Sequence, residues 1–262
     1  MGSQLSISQR LIVLARRRPL ISLVGSGLMR VVMAPHGYAH YLRDRRAYKR
    51  LPEAESLRWR DSYPLVHDRL PSSPYDQHYF FQDVWAANRV AERGPFRHVD
   101  VGSRVDYVGF LTAICEVEFV DIRPLEVEMQ RFTSVTGSVL SLPYPDHSVE
   151  SISCLHVAEH VGLGRYGDPL DPSGTRKAAA ELQRVLAPGG ELLFSGPVGQ
   201  PRVCFNAHRI HSPSRVIEMF DELRLEEFSA VDDQGSFARH RRPEEFEQAV
   251  YACGMFRFAR PA

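Results

Sequence analysis

The chain has 262 residues, of which 44% are hydrophobic and 24% are charged, and its formal net charge is zero. This composition is typical of a globular α/β domain with an added segment, and the absence of net charge gives no overall field that would favour nucleic acid as a partner. The four cysteines lie far apart with no CxxC pair, which argues against a zinc knuckle or a disulfide framework and favours reduced thiols in the cytoplasm.

The first fifty residues are strongly basic. They hold ten Lys or Arg residues against one acid, Asp44, so they carry +9 and the remainder carries −9. Residues 7–33 interleave apolar runs with arginines and predict two short helices separated at Pro19, neither long enough to span a membrane. Such a segment either lies at an anionic surface, here the inner face of a bacterial membrane, or packs on the protein body or on a second copy in a homodimer.

Residues 40–80 are polar, aromatic and rich in proline, and they predict a connecting, lid-like region. A helix follows from Gln82, and Gly94 is expected to end it. We therefore predict a basic helical extension with a lid-like region over residues 1–80, and the main domain over residues 81–262.

From Arg97 onward, short β-rich runs alternate with helical patterns. This alternation predicts an α/β fold with a doubly wound parallel sheet. The predicted strands are "RHVDVG", "EVEFVDI", a run within "FTSVTGSVLSLPYPDHS", "VESISCLHV" and "ELLFSGPVG"; the predicted helices are "DYVGFLTAIC", "RPLEVEMQ", "SGTRKAAAELQRVL", "SPSRVIEMFD" and "PEEFEQAV".

The segments "HVDVGSRVDYVG", "FVDIRP", "LPYPDHSVESISCLHVAEHV" and "RVLAPGGELLF", in this order, resemble class I S-adenosylmethionine-dependent methyltransferases over roughly residues 96–260. The last two are especially similar to type-11 methyltransferases of small molecules. "GLGRYGDPLDPSG" together with "NAHRIHSPS" resembles an uncharacterised methyltransferase-like family associated with bacterial surface glycans. These resemblances imply a Rossmann-like fold and O-methylation of a sugar or glycan hydroxyl in surface polysaccharide synthesis.

The resemblance also implies where the cofactor would lie. Gly102 permits a close approach after the first strand, and Asp121 ends the second strand, where it either accepts the ribose hydroxyls or caps the next helix. The chain departs from the family pattern because the glycine at the usual alternate position is missing and Ser138 stands where an acid is common. The predicted cofactor-binding residues are Asp100, Gly102, Ser103, Arg104, Asp121, Ile122, Ser138, Val139 and Leu155.

His156, Glu159 and His160 follow the predicted fourth strand and are the candidate catalytic residues. In one interpretation a histidine, His160 or His156, removes the proton of an acceptor hydroxyl and Glu159 orients it. In a second, the three residues bind a divalent metal ion, since their spacing resembles the acid-x-x-Glu-His site of quinone-pathway O-methyltransferases, with His156 in place of the acid. In a third, they only form hydrogen bonds behind the cofactor.

Loop residues near the same sheet edge are candidates for substrate binding because they combine hydroxyl-binding and anion-binding groups. They are Arg165, Tyr166, Asp168, His208, Arg209 and His211. No GxGxxG or GxxxxGK[ST] motif occurs, which argues against a nicotinamide dehydrogenase and a P-loop enzyme. The altered glycine loop leaves one non-enzymatic alternative, a degenerate methyltransferase fold that serves as a binding or assembly subunit.

Overall fold

The structure, a computed structural model, describes residues 19–262, with side chains from residue 34 onward. The chain divides into two compact units, Met1–Tyr75 and Asp76–Ala262. The first of the two helices predicted before residue 33 falls on residues outside the described range. The predicted domain boundary at residues 80 and 81 lies inside a helix of the second unit.

In the first unit, helix α1 spans Pro19–Tyr48, and a single 3-10 turn follows at Trp59–Asp61. The helix continues past Pro35. The predicted irregular region from residue 40 is therefore helical as far as Tyr48. Within the described part of the chain, no helix is both long and apolar enough to cross a membrane.

The second unit is built on an eight-stranded sheet in the order β3-β2-β1-β4-β5-β10-β8-β9. Strand β1 pairs in parallel with both β2 and β4, so the strand order reverses there, and β10 runs antiparallel between β5 and β8. The strands are β1 Arg97–Val101, β2 Glu116–Asp121, β3 Phe132–Thr136, β4 Val149–Leu155, β5 Leu186–Val198, β6 Arg202–Cys204, β7 His208–Ile210, β8 Arg224–Val231, β9 Phe237–Ala238 and β10 Ala252–Ala259.

Helices cover both faces of this sheet and bury two apolar clusters. They are α2 Gln77–Arg93, α3 Val105–Leu111, α4 Gly174–Val185 and α5 Pro213–Met219. Trp85 of α2 and Leu111 of α3 belong to one cluster, whereas Leu182 of α4 and Val216 of α5 belong to the other. The predicted α/β, doubly wound, Rossmann-like fold is confirmed, with an antiparallel edge beyond β5.

Several predicted ends are confirmed by cap geometry. Gly94 ends α2 in the left-handed conformation, with φ 62°, and Ser212 caps α5 by accepting a hydrogen bond from the Arg215 amide. Helix α2 begins five residues before the predicted Gln82, because the Asp76 carboxylate accepts hydrogen bonds from the amides of His78 and Tyr79.

Two predicted helices are wrong or shortened. Residues 123–130, predicted as a helix, form a loop, and the predicted helix "PEEFEQAV" is only a 3-10 turn at Pro243–Phe246. Short, strongly charged segments of this kind lack the apolar face that packs a helix onto a sheet. The helix predicted to stop at "APGG" does end just before it, at Val185, and β5 begins directly at Leu186.

Candidate functional site

A cleft opens at the carboxyl ends of strands β1 to β4, beside the reversal of strand order between β1 and β4. Its cavity volume is about 130 Å³, below the roughly 300–1,000 Å³ that is usual for small-molecule pockets, and the cleft is open to solvent at its mouth. In a doubly wound sheet, ligands bind at this edge because the loops of diverging crossovers leave a crevice there. The lining residues are Val101, Gly102, Val120, Asp121, Ile122, Arg123, Gly137, Ser138, Val139, Leu140, His156, Val157, His160, Val161, Tyr166 and Asp168.

Gly102 and Asp121 form a narrow cradle in this cleft. Gly102 has φ +69°, and a Cβ atom there would lie 3.2 Å from Val157 Cγ1 and 3.6 Å from Asp121 Oδ2. Asp121 Oδ1 accepts the Arg123 amide at 2.7 Å, while Oδ2 has no hydrogen-bond partner among the described residues. The cradle therefore offers a free carboxylate oxygen beside a backbone that only glycine keeps open.

Three other predicted cofactor residues also line the cleft. Ile122 is exposed and Val139 is buried, so apolar surface borders the cleft after both β2 and β3. The Ser138 hydroxyl accepts the Leu140 amide at 3.2 Å and so closes the turn after β3. Its proton remains available to a ligand, because an accepting hydroxyl still has one hydrogen to donate.

The remaining predicted cofactor residues lie behind or beside the cleft. Asp100 is fully buried and accepts the Ser103 amide at 3.0 Å and the Ser153 hydroxyl, while the Ser103 hydroxyl accepts the Leu155 amide at 3.1 Å. These bonds hold the β1 loop against β4. Arg104 pairs with Asp106 at 2.9 Å on the surface. None of Asp100, Ser103, Arg104 and Leu155 belongs to the cleft lining.

His160 lines the cleft in a defined orientation. Its Nδ1 lies 2.6 Å from the Ala207 carbonyl oxygen, so Nδ1 carries the proton and Nε2 is left as the basic nitrogen. Burial lowers the pKa of His160, which keeps the ring neutral at pH 7. Glu159 Oε1 lies 3.7 Å from Nε2, too far for a hydrogen bond, and the orienting contact comes from the Ala207 carbonyl instead.

His156 follows β4 in the left-handed region, with φ 56°, which is uncommon for a residue with a side chain. Its amide donates to the Ser195 carbonyl at 3.0 Å, and its Nδ1 lies 2.5 Å from Gln82 Oε1. These two contacts turn the ring into the interior between α2 and β5. His156 Nε2 is buried and has no hydrogen-bond partner in the part of the chain that the structure describes.

Glu159 is 3% exposed, and neither of its carboxylate oxygens has a hydrogen-bond partner among residues 34–262. Burial raises the pKa of Glu159 to about 8, so the side chain is mostly protonated at pH 7. An unpaired buried acid is costly to fold and is a recurrent mark of functional sites.

The loop after His160 brings Tyr166 and Asp168 to the cleft. Asp168 accepts the amides of Gly162 at 2.5 Å and Tyr166 at 3.3 Å, so its carboxylate shapes the loop as well as lining the cleft. The Tyr166 ring lies under the Arg123 guanidinium at 4.7 Å and near Arg165 at 5.1 Å. Arg165 does not itself line the cleft, but its guanidinium also contacts His160 Nδ1 at 3.3 Å and the Ala207 carbonyl oxygen at 3.2 Å.

The second group of predicted substrate residues does not line the cleft. Arg209 is buried and donates to the carbonyl oxygens of Val161 at 2.5 Å and Asp171 at 2.9 Å, so it fastens the 161–171 loop. His208 lies 6.4 Å from His160, ring centre to ring centre, and burial lowers its pKa to about 4. His211 is held in a β-bridge with Val198, and burial lowers its pKa to about 4 as well.

The residues that surround His156 carry no local signal in the sequence. Gln82 contacts the His156 ring, as described above, and His78, Tyr79 and Tyr251 are aromatic neighbours of this region. Cys253, on β10, completes the group. Helix α2 and strand β10 lie far from β4 in the chain, so no local motif joins them, and only the fold brings them together.

The family model described as "Caenorhabditis protein of unknown function, DUF268" matches residues 115–242, just under half of the chain. No curated protein matches the chain.

Solved structures with a similar fold include three bacterial proteins. The YcgJ protein from Bacillus subtilis is 17% identical with a TM-score of 0.48, over 70% of this chain and 99% of that one. The N-methyltransferase NodS from Bradyrhizobium japonicum WM9, in complex with S-adenosyl-L-homocysteine, is 15% identical with a TM-score of 0.47. The match covers 76% of this chain and 92% of that one. A SAM dependent methyltransferase from Aquifex aeolicus is 14% identical with a TM-score of 0.40. The match covers 71% of this chain and 99% of that one.

Proposed function

We propose that this chain is an S-adenosylmethionine-dependent methyltransferase. The observation that carries the proposal is the cradle of Gly102 and Asp121 at the point where the strand order reverses. A ribose needs an acceptor for its two hydroxyl protons, and the free Oδ2 of Asp121 is such an acceptor. The methionine part of the cofactor needs close access to the backbone, which Gly102 leaves open.

The residues of the cleft fit this cofactor on their own chemistry. Asp121 would hold the ribose, Val139 and Ile122 would pack on the adenine, and the Ser138 hydroxyl would meet an adenine nitrogen. When bound, S-adenosylmethionine supplies an activated methyl group on a sulfonium, so the protein mainly has to orient an acceptor in line with it.

For the acceptor, we propose a hydroxyl on a sugar or glycan, as the resemblance to bacterial glycan-associated proteins implies. A hydroxyl needs a base before it attacks; His160 lines the cleft, and its Nε2 lone pair is free of the Ala207 contact. The acceptor oxygen would form the new bond to the methyl carbon, its proton would pass to His160 Nε2, and the carbon–sulfur bond would break to leave S-adenosylhomocysteine. Tyr166 and Asp168, which also line the cleft, would contact the acceptor.

Isothermal titration calorimetry with S-adenosylmethionine tests the cofactor part of the proposal. We expect micromolar or tighter binding by the full-length chain. A second assay would follow S-adenosylhomocysteine release with a panel of sugars and glycans. Binding without turnover on any acceptor would favour the alternative, a degenerate fold that acts as a binding or assembly subunit. The altered glycine loop, in which Arg104 pairs with Asp106, favours that alternative.

The basic N-terminal segment suggests where the enzyme works. We propose that the +9 charge of the first fifty residues holds it peripherally at the inner face of a bacterial membrane. Packing against a second copy in a homodimer is the competing role of the same segment. Both outcomes keep the catalytic unit in the cytoplasm, where the nucleotide-like cofactor is available.

A further inference from the structure

Three metal-binding side chains meet beside the cleft although they come from distant parts of the chain. His78 lies in the first turn of α2, His156 directly follows β4, and Cys253 lies in β10. One nitrogen of each imidazole and the Cys253 sulfur all lie within 4.8 Å of one another, and all three residues are buried. The centres of the two imidazole rings are 6.1 Å apart.

His156 is already prepared to act as a ligand. Its Nδ1 lies against the Gln82 side-chain oxygen at 2.5 Å, so the proton sits on Nδ1 and the lone pair is on Nε2. Metal-binding histidines are commonly held in this way, with the other ring nitrogen donating to a carbonyl or carboxylate. His156 is only 8% exposed, and its Nε2 has no hydrogen-bond partner among the described residues. A buried lone pair without a partner is a cost that a bound cation would remove.

The ligand chemistry selects the ion. A thiolate with two imidazoles suits Zn²⁺, while Mg²⁺ and Ca²⁺ prefer oxygen ligands. Bonds of about 2.0–2.3 Å in a tetrahedral site place the ligand atoms roughly 3.3–3.8 Å apart. The widest pair would therefore have to close by about 1 Å from its 4.8 Å limit, which side-chain rotation can supply.

We propose that His78, His156 and Cys253 bind one zinc ion, with water as the fourth ligand. The thiol of Cys253 gives up its proton to solvent as the zinc–sulfur bond forms. His156 also lines the cleft, so the ion borders the space in which the acceptor would lie. This site shares only His156 with the divalent site predicted from the sequence, because the cluster consists of His78, His156 and Cys253 while His160 Nδ1 contacts the Ala207 carbonyl oxygen. The proposal does not depend on methyl transfer.

The test measures metal binding by the untagged full-length chain, without cofactor or acceptor. The protein is incubated with zinc chloride, freed of excess metal by gel filtration and analysed by plasma mass spectrometry. We expect one zinc per chain. Replacement by Co²⁺ should produce a thiolate-to-cobalt charge-transfer band, which reports a sulfur ligand directly. Wild-type protein that retains no zinc, or that binds Co²⁺ without this band, would overturn the proposal.

Matched cysteine variants locate the sulfur ligand. Cys253→Ser should lose the charge-transfer band, whereas Cys115→Ser, at another buried cysteine outside the cluster, should keep it. If Cys253→Ser does not fold, Gln82→Met provides the second variant. Loss of the hydrogen bond to His156 Nδ1 should weaken zinc binding by about 10–100-fold. Unchanged zinc affinity in Gln82→Met, or a band that survives in folded Cys253→Ser, would contradict the assignment.

Discussion

The Asp121 carboxylate is the residue on which the proposed cofactor binding depends most directly. Asp121→Ala removes the only free carboxylate oxygen of the cradle, and the loss of hydrogen bonds from a buried polar partner costs about 1–3 kcal/mol. We expect S-adenosylmethionine binding, measured by calorimetry, to weaken by roughly 5- to 150-fold. Asp106→Ala, at an exposed carboxylate of α3, is the control and should bind normally. Equal affinity in the two variants would remove Asp121 from the site.

Gly102 allows a second test of the cradle, with a matched glycine as control. Gly102→Ala places a Cβ 3.2 Å from Val157 Cγ1 at a φ of +69°, which strains the backbone by about 1–2 kcal/mol and narrows the cleft. We expect a lower melting temperature and at least about tenfold weaker cofactor binding. Gly109→Ala, in α3 with open space at the Cβ position, should melt at the same temperature or higher. If Gly102→Ala matches Gly109→Ala in both melting temperature and cofactor affinity, the cofactor does not need close access to the backbone at Gly102.

His160 carries the proposed base, so its removal should affect turnover and spare the cofactor. His160→Ala is expected to lower methyl transfer by about 10²–10⁴-fold while calorimetry shows cofactor affinity within a few-fold of the wild type. Burial holds the pKa of His160 below 6.5, so wild-type turnover should persist down through pH 6.5 and fall only at lower pH. Turnover within a few-fold of the wild type in His160→Ala would show that His160 is not the base.

Glu159 should make the folded state less stable as pH rises. Its pKa is about 8 in the folded chain against an ordinary value of 4.5, so between these values the unfolded chain loses a proton that the folded chain keeps. The free energy of unfolding therefore falls through this window, by up to about 1.4 kcal/mol per pH unit. Glu159→Gln removes this dependence, so its melting temperature should rise relative to the wild type from pH 5 to pH 8.

The control for this pH dependence is Glu92→Gln, because Glu92 is an exposed partner of Arg89. Its melting temperature should follow the wild type at every pH. A Glu159→Gln variant that runs parallel to the wild type across pH 5–8 would mean that Glu159 is ionised in the folded chain, with a cation beside it.

Helix α2 matters to the site because it carries His78, Tyr79 and Gln82 toward His156. Its first turn depends on the Asp76 side chain, which accepts the amides of His78 and Tyr79. Asp76→Ala should cost about 0.5–2 kcal/mol of unfolding free energy, seen as a melting temperature lower by a few degrees. Asp76→Asn keeps the accepting oxygen and should stay close to the wild type. Equal melting temperatures for the two variants would show that the cap contributes nothing.

The charge asymmetry between the N-terminal segment and the rest of the chain has a measurable consequence. Each basic side chain near an anionic leaflet contributes about 1 kcal/mol, and this attraction is screened over about 8–10 Å at physiological salt. Full-length protein should float with anionic liposomes at low salt and lose binding at high salt. A chain that begins at Asp76 should not float. If both chains behave alike, the segment packs on protein, and the membrane proposal fails.

Periodicity and turn chemistry in the sequence were enough to predict the strands β1 to β5 and the order of the central elements. The apolar runs ending at Gly102 and Asp121 are local signals, because a buried parallel strand is a continuous apolar run and its last residues face the ligand edge. The same holds for the Gly94 and Ser212 caps, which act within one turn of the helix. The fold class therefore followed from local patterns, whereas the proposed cofactor residues rest on the resemblance to methyltransferases.

The role of each histidine depended on packing. His156 and His160 are four positions apart, yet one turns inward to Gln82 and the other is held by the Ala207 carbonyl. The Arg209 side chain was predicted to bind an anionic substrate group because arginine commonly does so. In the structure its guanidinium instead donates to two backbone carbonyl oxygens of a loop. His78 of α2 and Cys253 of β10 lie close together only because the sheet and helices pack as they do. The two residues are far apart in the chain, so no local spacing motif in the sequence could predict their contact. A buried polar side chain forms hydrogen bonds with the groups that the fold brings within reach, and the sequence alone does not show which groups those are.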